Sequence, residues 1–187
     1  MVTYNAAEAL KKLKTGNMHY LSAKKSKGDV SPALRKKTCV EGQTPYAIII
    51  TCSDSRVIPE SIFNAGIGDL FVIRVAGNVI DLHQLGSIEY AAEHLGCRLI
   101  LVMGHNHCGA VNAVIHQDPK GYIKFITDEI KIAIGKETDE YKACCLNVRH
   151  SMKIIEKSLK IQNNDENGLH LYGAIYHLED GRVEFLD

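Results

Sequence analysis

The sequence contains the run Ala47-Ile48-Ile49-Ile50-Thr51-Cys52-Ser53-Asp54-Ser55-Arg56, in which an apolar segment ends abruptly in polar groups. The apolar, β-branched segment predicts a buried strand. The thiol of Cys52, the carboxylate of Asp54 and the guanidinium of Arg56 follow it directly. A thiol and two charged groups at the end of a core strand indicate a chemical site.

A second apolar segment ends in the same way. Arg98-Leu-Ile-Leu-Val-Met103 is followed by Gly104-His-Asn-His-Cys-Gly109. In a parallel α/β sheet the carboxyl ends of the strands share one edge, where ligands bind. We therefore expect Cys52 to meet His105 and Cys108. Thiolate and imidazole are preferred ligands of Zn²⁺, and three protein ligands leave a fourth position for water, as in catalytic sites.

The spacing of the second motif selects its ligands. His105 and Cys108 are three residues apart, so a turn that enters a helix can aim both at one point. His107 adjoins Cys108 and should point elsewhere, either into solvent or into the surroundings of the site. The other cysteines are expected to pack as small apolar side chains; they are Cys39, Cys97, Cys144 and Cys145.

Asp54 has two possible roles. It could accept a hydrogen bond from a water on the metal while Arg56 holds it in place. It could instead swing in and occupy the fourth coordination position as an exchangeable ligand. A purely structural ion pair between Asp54 and Arg56 is the less favoured interpretation beside a metal.

The order of elements predicts an α/β fold with a mostly parallel central sheet flanked by helices. We expect an N-terminal helical arm and C-terminal strands added at the edge of the sheet. The domain is expected to be single over 1–187, with the arm and a loop over 1–45 and the α/β core over 46–187. Predicted strands are 46–51, 70–75, 98–103, 169–178 and 182–186; predicted helices are 5–21, 33–40, 59–63, 81–95, 109–115, a short one within 116–140, and 141–161, before a polar linker over 162–168.

Composition excludes several classes of protein. Lys+Arg and Asp+Glu are both 22, so no global field favours nucleic acid or an anionic membrane. No apolar run approaches the roughly 20 residues of a membrane span. The first residues lack a basic segment followed by an apolar one, and six cysteines do not make a disulfide scaffold in 187 residues. We expect a cytoplasmic protein with reduced thiols.

These motifs closely resemble the β-class carbonic anhydrases. The resemblance covers Cys52-Ser-Asp-Ser-Arg-Val57, Gly68-Asp-Leu-Phe71, Arg74-Val-Ala-Gly-Asn78, Ser87-Ile-Glu-Tyr90, Gly104-His-x-x-Cys-Gly-Ala110 and the C-terminal Gly173-Ala-Ile-Tyr…Gly181-Arg-Val segment. It implies reversible hydration of CO₂ to bicarbonate and a proton by zinc-activated water. Cys52, His105 and Cys108 would be the ligands of one Zn²⁺ per chain, and Asp54 with Arg56 the catalytic pair.

The resemblance also implies partners and limits. Family members place their sites near a dimer interface, so we expect a homodimer or a dimer-based tetramer. Gly66 stands where plant-like members have a substrate-contacting glutamine, and no Trp is present for the bicarbonate-inhibition site of some bacterial members. We expect substrate orientation by other groups, such as backbone N–H donors, and no regulation of that kind.

Two alternatives remain open at this point. Relatives with the same ligand pattern hydrolyse the CO₂ analogues COS or CS₂, and pocket shape would distinguish them. The chain could also be a non-catalytic zinc-binding protein, although a metal-binding role alone would not need Asp54 and Arg56. Because two thiolates neutralise Zn²⁺, its water should be less acidic than in a site of three histidines, and activity should rise toward alkaline pH.

Overall fold

The computed structural model describes residues 4–22, 28–159 and 168–186. Within these residues the chain forms seven α-helices and five strands, with 3₁₀ turns at Ala76–Asn78 and Gly121–Ile123. The helices are α1 Ala6–Ser22, α2 Pro32–Glu41, α3 Pro59–Ile62, α4 Leu82–Glu93, α5 Gly109–His116, α6 Lys124–Ile134 and α7 Glu140–Leu159. The strands are β1 Ala47–Thr51, β2 Leu70–Arg74, β3 Leu99–His105, β4 His170–Tyr176 and β5 Val183–Leu186.

The five strands form one mostly parallel sheet, in the order β2-β1-β3-β4-β5. β1 pairs in parallel with β2 and β3, β3 pairs in parallel with β4, and only β5 runs antiparallel, at the edge. This topology confirms the predicted α/β fold with C-terminal strands added at the edge. It also places the carboxyl ends of β1 and β3 side by side.

The two faces of the sheet bury different residues because side chains alternate along a strand. Ile48 and Ile50 of β1 face a core built with α4, α6 and α7, whereas Ala47 and Ile49 face one that includes Leu13 of α1. The N-terminal arm therefore packs on its own sheet through α1. On α2, in contrast, no residue is buried.

Local signals in the sequence account for several helix boundaries. Asn5 Oδ1 accepts from the Glu8 N–H at 2.8 Å, and Glu8 Oε2 accepts from the Asn5 N–H at 3.0 Å. Asp81 and Gln84 make the same reciprocal capping box at the start of α4. Pro59 occupies the first turn of α3. The helices predicted over 5–21, 59–63 and 81–95 begin at these residues.

Other boundaries differ from the prediction or lie outside the described residues. β3 extends to His105, beyond the predicted end at 103, because β4 continues alongside it and pairs His105 with Tyr176. The region 116–140 contains α6, which is the predicted short helix. The predicted end of α7 at 161, most of the linker over 162–168, and the lysines at 24, 25 and 27 lie outside the described residues.

Candidate metal centre

The fold brings the three predicted ligand residues together at the carboxyl edge of the sheet. Cys52 directly follows β1, His105 is the last residue of β3, and Cys108 immediately precedes α5. Their ligand atoms all lie within 4.8 Å of one another, and all three residues are buried. Two sulfurs and an imidazole nitrogen so close together form a donor set that suits Zn²⁺.

The imidazole of His105 is fixed in one tautomer. Its Nδ1 lies 2.7 Å from the carbonyl oxygen of Asn106, which can only accept, so Nδ1 carries the hydrogen. Nε2 then presents a lone pair toward the thiols, and it is buried without a hydrogen-bond partner among the described residues. Buried polar atoms are normally paired, so an unpartnered lone pair beside two sulfurs fits a metal ligand.

The two thiols differ in their electrostatic surroundings. The pKa of Cys52 is lowered, chiefly because the Cys108 thiol donates a hydrogen bond to its sulfur. Backbone N–H groups of Gly77 and Asp54 stabilise the same thiolate, and the Gly77 nitrogen is 3.3 Å from Cys52 Sγ. The pKa of Cys108 is raised, because its proton is shared with the Cys52 sulfur and its surroundings are apolar.

Asp54 and Arg56 stand at the mouth of the site as a bidentate pair. Arg56 Nε donates to Asp54 Oδ1 at 3.0 Å and Arg56 Nη2 donates to Asp54 Oδ2 at 2.8 Å. The Arg56 N–H also donates to Oδ1, at 2.9 Å. These hydrogen bonds hold the pKa of Asp54 well below its usual range. The carboxylate is therefore an anionic acceptor whose two oxygens are both engaged by Arg56.

Arg74, at the end of β2, fixes the backbone of the first motif. Its Nη2 donates to the Asp54 carbonyl oxygen at 2.7 Å, and its Nε donates to the Cys52 carbonyl oxygen at 3.2 Å. Sequence reasoning from the strand ends missed this role. The available signal was a third strand, neighbouring β1, that also ends in a charged side chain.

Asn106 anchors the second motif to the β4–β5 hairpin. Its Oδ1 accepts from the Leu178 N–H at 2.9 Å, and its Nδ2 donates to Glu179 Oε2 at 2.6 Å. Its carbonyl oxygen is the acceptor for His105 Nδ1, so a fixed Asn106 backbone fixes the imidazole ring. The sequence had no signal for this role, because the partner lies more than 70 residues away.

His107 and the other cysteines do not belong to the cluster of three candidate ligands. His107 has a left-handed backbone (φ 52°) and a side chain that is 68% exposed, which confirms that it does not point at Cys52. Cys97 and Cys144 are buried, as expected, and no disulfide joins Cys144 to Cys145. The prediction that Cys39 packs internally is wrong, because α2 has no buried face and Cys39 is exposed.

The structure explains why glycine stands at position 66, where plant-like members of the family have glutamine. The Gly66 N–H donates to Asp69 Oδ2 at 2.9 Å, which closes the turn before β2. A Cβ at Gly66 would lie 2.8 Å from the Asp29 carbonyl oxygen. Close packing of the backbone therefore accounts for glycine at this position, and its N–H group is already occupied.

Comparison with known proteins identifies a family. A carbonic anhydrase family model matches residues 47–183. The chain is 35% identical to a carbonic anhydrase of Mycolicibacterium smegmatis, over 98% of this chain and 95% of that protein. A tetrameric β-carbonic anhydrase of Sordaria macrospora superimposes with a TM-score of 0.71 at 26% identity, over 83% of this chain and 87% of that one.

A second solved structure shows the same likeness. The β-carbonic anhydrase CafA of Aspergillus fumigatus superimposes with a TM-score of 0.71 at 27% identity, covering 83% of this chain and 81% of that chain. The matched region includes the whole candidate metal centre, from Cys52 to Cys108. On these grounds the chain belongs to the β-class carbonic anhydrases and is a carbonic anhydrase.

Proposed function

We propose that this carbonic anhydrase hydrates CO₂ at one Zn²⁺ held by Cys52, His105 and Cys108. The observation that carries the proposal is the convergence of three buried donor atoms within 4.8 Å, one of them the unpartnered Nε2 of His105. A bound Zn²⁺ would supply the Lewis acidity that makes water a nucleophile near neutral pH. The protein would supply the shape, the charge balance and a hydrogen-bond acceptor around it.

Asp54 is proposed as the acceptor that orients the attacking water. Arg56 keeps its carboxylate ionised, and Oδ2 lies 3.9 Å from His105 Nε2, beyond hydrogen-bond distance but beside the metal position. Asp54 could become the fourth ligand only by giving up hydrogen bonds from Arg56. The geometry therefore favours the orienting role, and fourth-ligand coordination stays a prediction for a closed form of the site.

The substrate and the product of the reaction differ in charge, and the site must accommodate both. CO₂ has no charge, whereas bicarbonate is an anion that must leave the site. The ionised Asp54 disfavours a second negative charge beside it, and Arg56 compensates this charge through its bidentate pair with the carboxylate. We propose that this balance permits product release without neutralising the acceptor.

Assembly and compartment are proposals of the same kind. We propose a homodimer or dimer-based tetramer, supported by the tetrameric Sordaria relative and by apolar side chains left in solvent, Leu82 at 83% and Val40 at 80% exposed. All six cysteines are free thiols, which supports a reducing compartment such as the cytoplasm. No helix among the described residues is both long and apolar enough for a membrane span.

The test combines CO₂ hydration by stopped flow with zinc quantified on the same sample. We expect fast turnover with about one zinc per chain. Cys108→Ser should lose zinc and activity, whereas Cys97→Ser should keep both. Cys97 is a suitable control because it is also buried but donates to the Pro45 carbonyl oxygen at 3.1 Å.

The other outcomes separate the alternatives. No zinc in the wild-type protein would contradict the proposed site. One zinc with no CO₂ turnover at neutral and alkaline pH would redirect the assay to COS and CS₂, and failure there would leave a non-catalytic zinc protein.

A further inference from the structure

A tight turn at Ala76–Asn78 lies against the sulfur of Cys52. The Gly77 N–H donates to Cys52 Sγ at 3.3 Å. Gly77 has a left-handed backbone (φ 65°), and a Cβ there would lie 2.7 Å from Ile130 Cδ1 and 3.1 Å from Ala110 Cβ. Only glycine therefore fits this turn, which lies between α5 and α6 with its N–H directed at the thiolate.

The opposite side of the turn is held by α7. Asn147 Nδ2 donates to the Gly77 carbonyl oxygen at 2.7 Å, and Ser151 Oγ donates to the Asn78 carbonyl oxygen at 2.9 Å. Asn147 and Ser151 are 2% and 1% exposed, so water does not replace them. Each donates a hydrogen bond to a buried carbonyl oxygen that the turn itself leaves without a donor.

The position of α7 is set by close packing against the sheet. A Cβ at Gly104 would lie 2.6 Å from Val148 Cγ2, and one at Gly173 would lie 3.1 Å from Val148 Cγ1. The two glycines let Val148 approach β3 and β4 closely. Asn147 is the neighbour of Val148 in the chain, so the same packing sets its distance from the Gly77 carbonyl.

We propose that Asn147 is a positioning residue that holds the Gly77 N–H on the Cys52 thiolate. This role rests on the proposed zinc site, because its consequence is expressed through the metal–sulfur bond. A hydrogen bond to a thiolate is charge-assisted and withdraws electron density from the sulfur. Partners behind the ligands tune metal affinity and ligand basicity, and their loss costs about 10- to 100-fold in affinity.

Asn147 and Ser151, both on α7, bind different carbonyl oxygens of the turn. Asn147 holds the carbonyl of Gly77, the residue whose N–H contacts the sulfur. Ser151 holds the carbonyl of Asn78, one peptide further from Cys52. Both are buried on the same helix and both donate to this turn, so Ser151→Ala is a matched control for the loss of one buried hydrogen bond.

The test uses the full-length protein loaded with Co²⁺, whose sulfur-to-cobalt charge-transfer band reports electron density on the thiolates. In Asn147→Ala we expect this band to move to lower energy, because the sulfur loses its hydrogen bond. Competition with a chelator should show zinc binding weakened by about 10- to 100-fold. Ser151→Ala should retain the wild-type band and zinc affinity.

The outcomes that contradict the role of Asn147 differ from those that contradict the zinc site. If Asn147→Ala keeps the wild-type band and affinity, the positioning role is overturned while the zinc site stands. Equal shifts in both variants would assign the effect to the turn as a whole and also overturn it. A wild-type protein that binds neither Co²⁺ nor Zn²⁺ would remove the proposed site itself. If Asn147→Ala does not fold, Asn147→Leu, which has nearly the same volume and no donor, must show the shift.

Discussion

Asp54 Oδ2 lies 3.9 Å from the unpartnered Nε2 of His105, and the same oxygen accepts from Arg56 Nη2 at 2.8 Å. The carboxylate is thus close to a candidate ligand atom without a hydrogen bond to it. An anionic acceptor in this place would orient a water bound at the site. The first prediction follows from this arrangement.

Asp54→Asn should retain zinc and lose most turnover. The amide keeps the size of the side chain but lacks the negative charge that accepts a hydrogen bond from water and orients it, so we expect kcat/KM to fall by about 100-fold or more. Stopped-flow CO₂ hydration and zinc content on one sample would measure both. Asp128→Asn is the control, since Asp128 is an exposed carboxylate paired with Lys124 on α6. Wild-type rates in Asp54→Asn would contradict the proposed role.

Zinc binding near pH 8 should release about one proton per site. The pKa of Cys52 is lowered and that of Cys108 is raised because one proton lies between the two sulfurs, and this proton must leave when both bind the metal. The zinc affinity should therefore increase as the pH rises. Calorimetry in buffers of different ionisation enthalpy measures the released protons. A release of two protons at a pH where zinc-bound water stays protonated would show that both thiols are protonated before binding.

The rate of CO₂ hydration should rise from mildly acidic to alkaline pH. Two thiolate ligands reduce the effective charge of Zn²⁺, so the pKa of its water should exceed that in a site of three histidines. Asp54 does not set the midpoint, because Arg56 keeps it ionised across this range. The measurement is kcat/KM as a function of pH, and a flat profile would count against the expected ligand effect.

Gly104→Ala should destabilise the protein. The new Cβ would lie 2.6 Å from Val148 Cγ2 and 3.2 Å from Ile175 Cδ1, and overpacking a dense core costs about 1–3 kcal/mol. Gly86→Ala is the control: its Cβ would meet nothing within 4 Å on α4, and replacing a helical glycine gains about 0.5–1 kcal/mol. Urea denaturation measures the free energy of unfolding of each variant and of the wild type. If Gly104→Ala were as stable as the wild type, α7 would have to be able to shift away from the sheet.

The candidate ligands were predictable because each depends on a local rule. A β-branched run that ends in Cys52 marks a strand end, and the three-residue spacing of His105 and Cys108 suits a turn into a helix. Parallel pairing of β1 with β3 then joins the two motifs. The capping boxes at Asn5 and Asp81 were predictable for the same reason, since their partners lie three residues away.

The residues behind the ligands were not predictable in this way. Asn147 reaches Gly77 across 70 residues, and Asn106 reaches Glu179 across 73. An asparagine inside a helix or a turn has no local feature that reveals a distant carbonyl or carboxylate. The internal packing predicted for Cys39 failed for a related reason, since nothing near it in sequence shows whether α2 has a covered face.

The amino-acid sequence by itself determined the strand ends, the helix starts and the chemical types of the candidate ligands, because these depend on hydrophobic periodicity and on residues a few positions apart. Only the tertiary structure decided which atoms meet. The Gly77 N–H at Cys52, the Asn147 hydrogen bond to Gly77 and the Arg74 hydrogen bond to the Asp54 carbonyl arise from packing between elements that are distant in sequence. Burial gives those contacts their effect, since a hydrogen bond or a lone pair removed from water has no alternative partner.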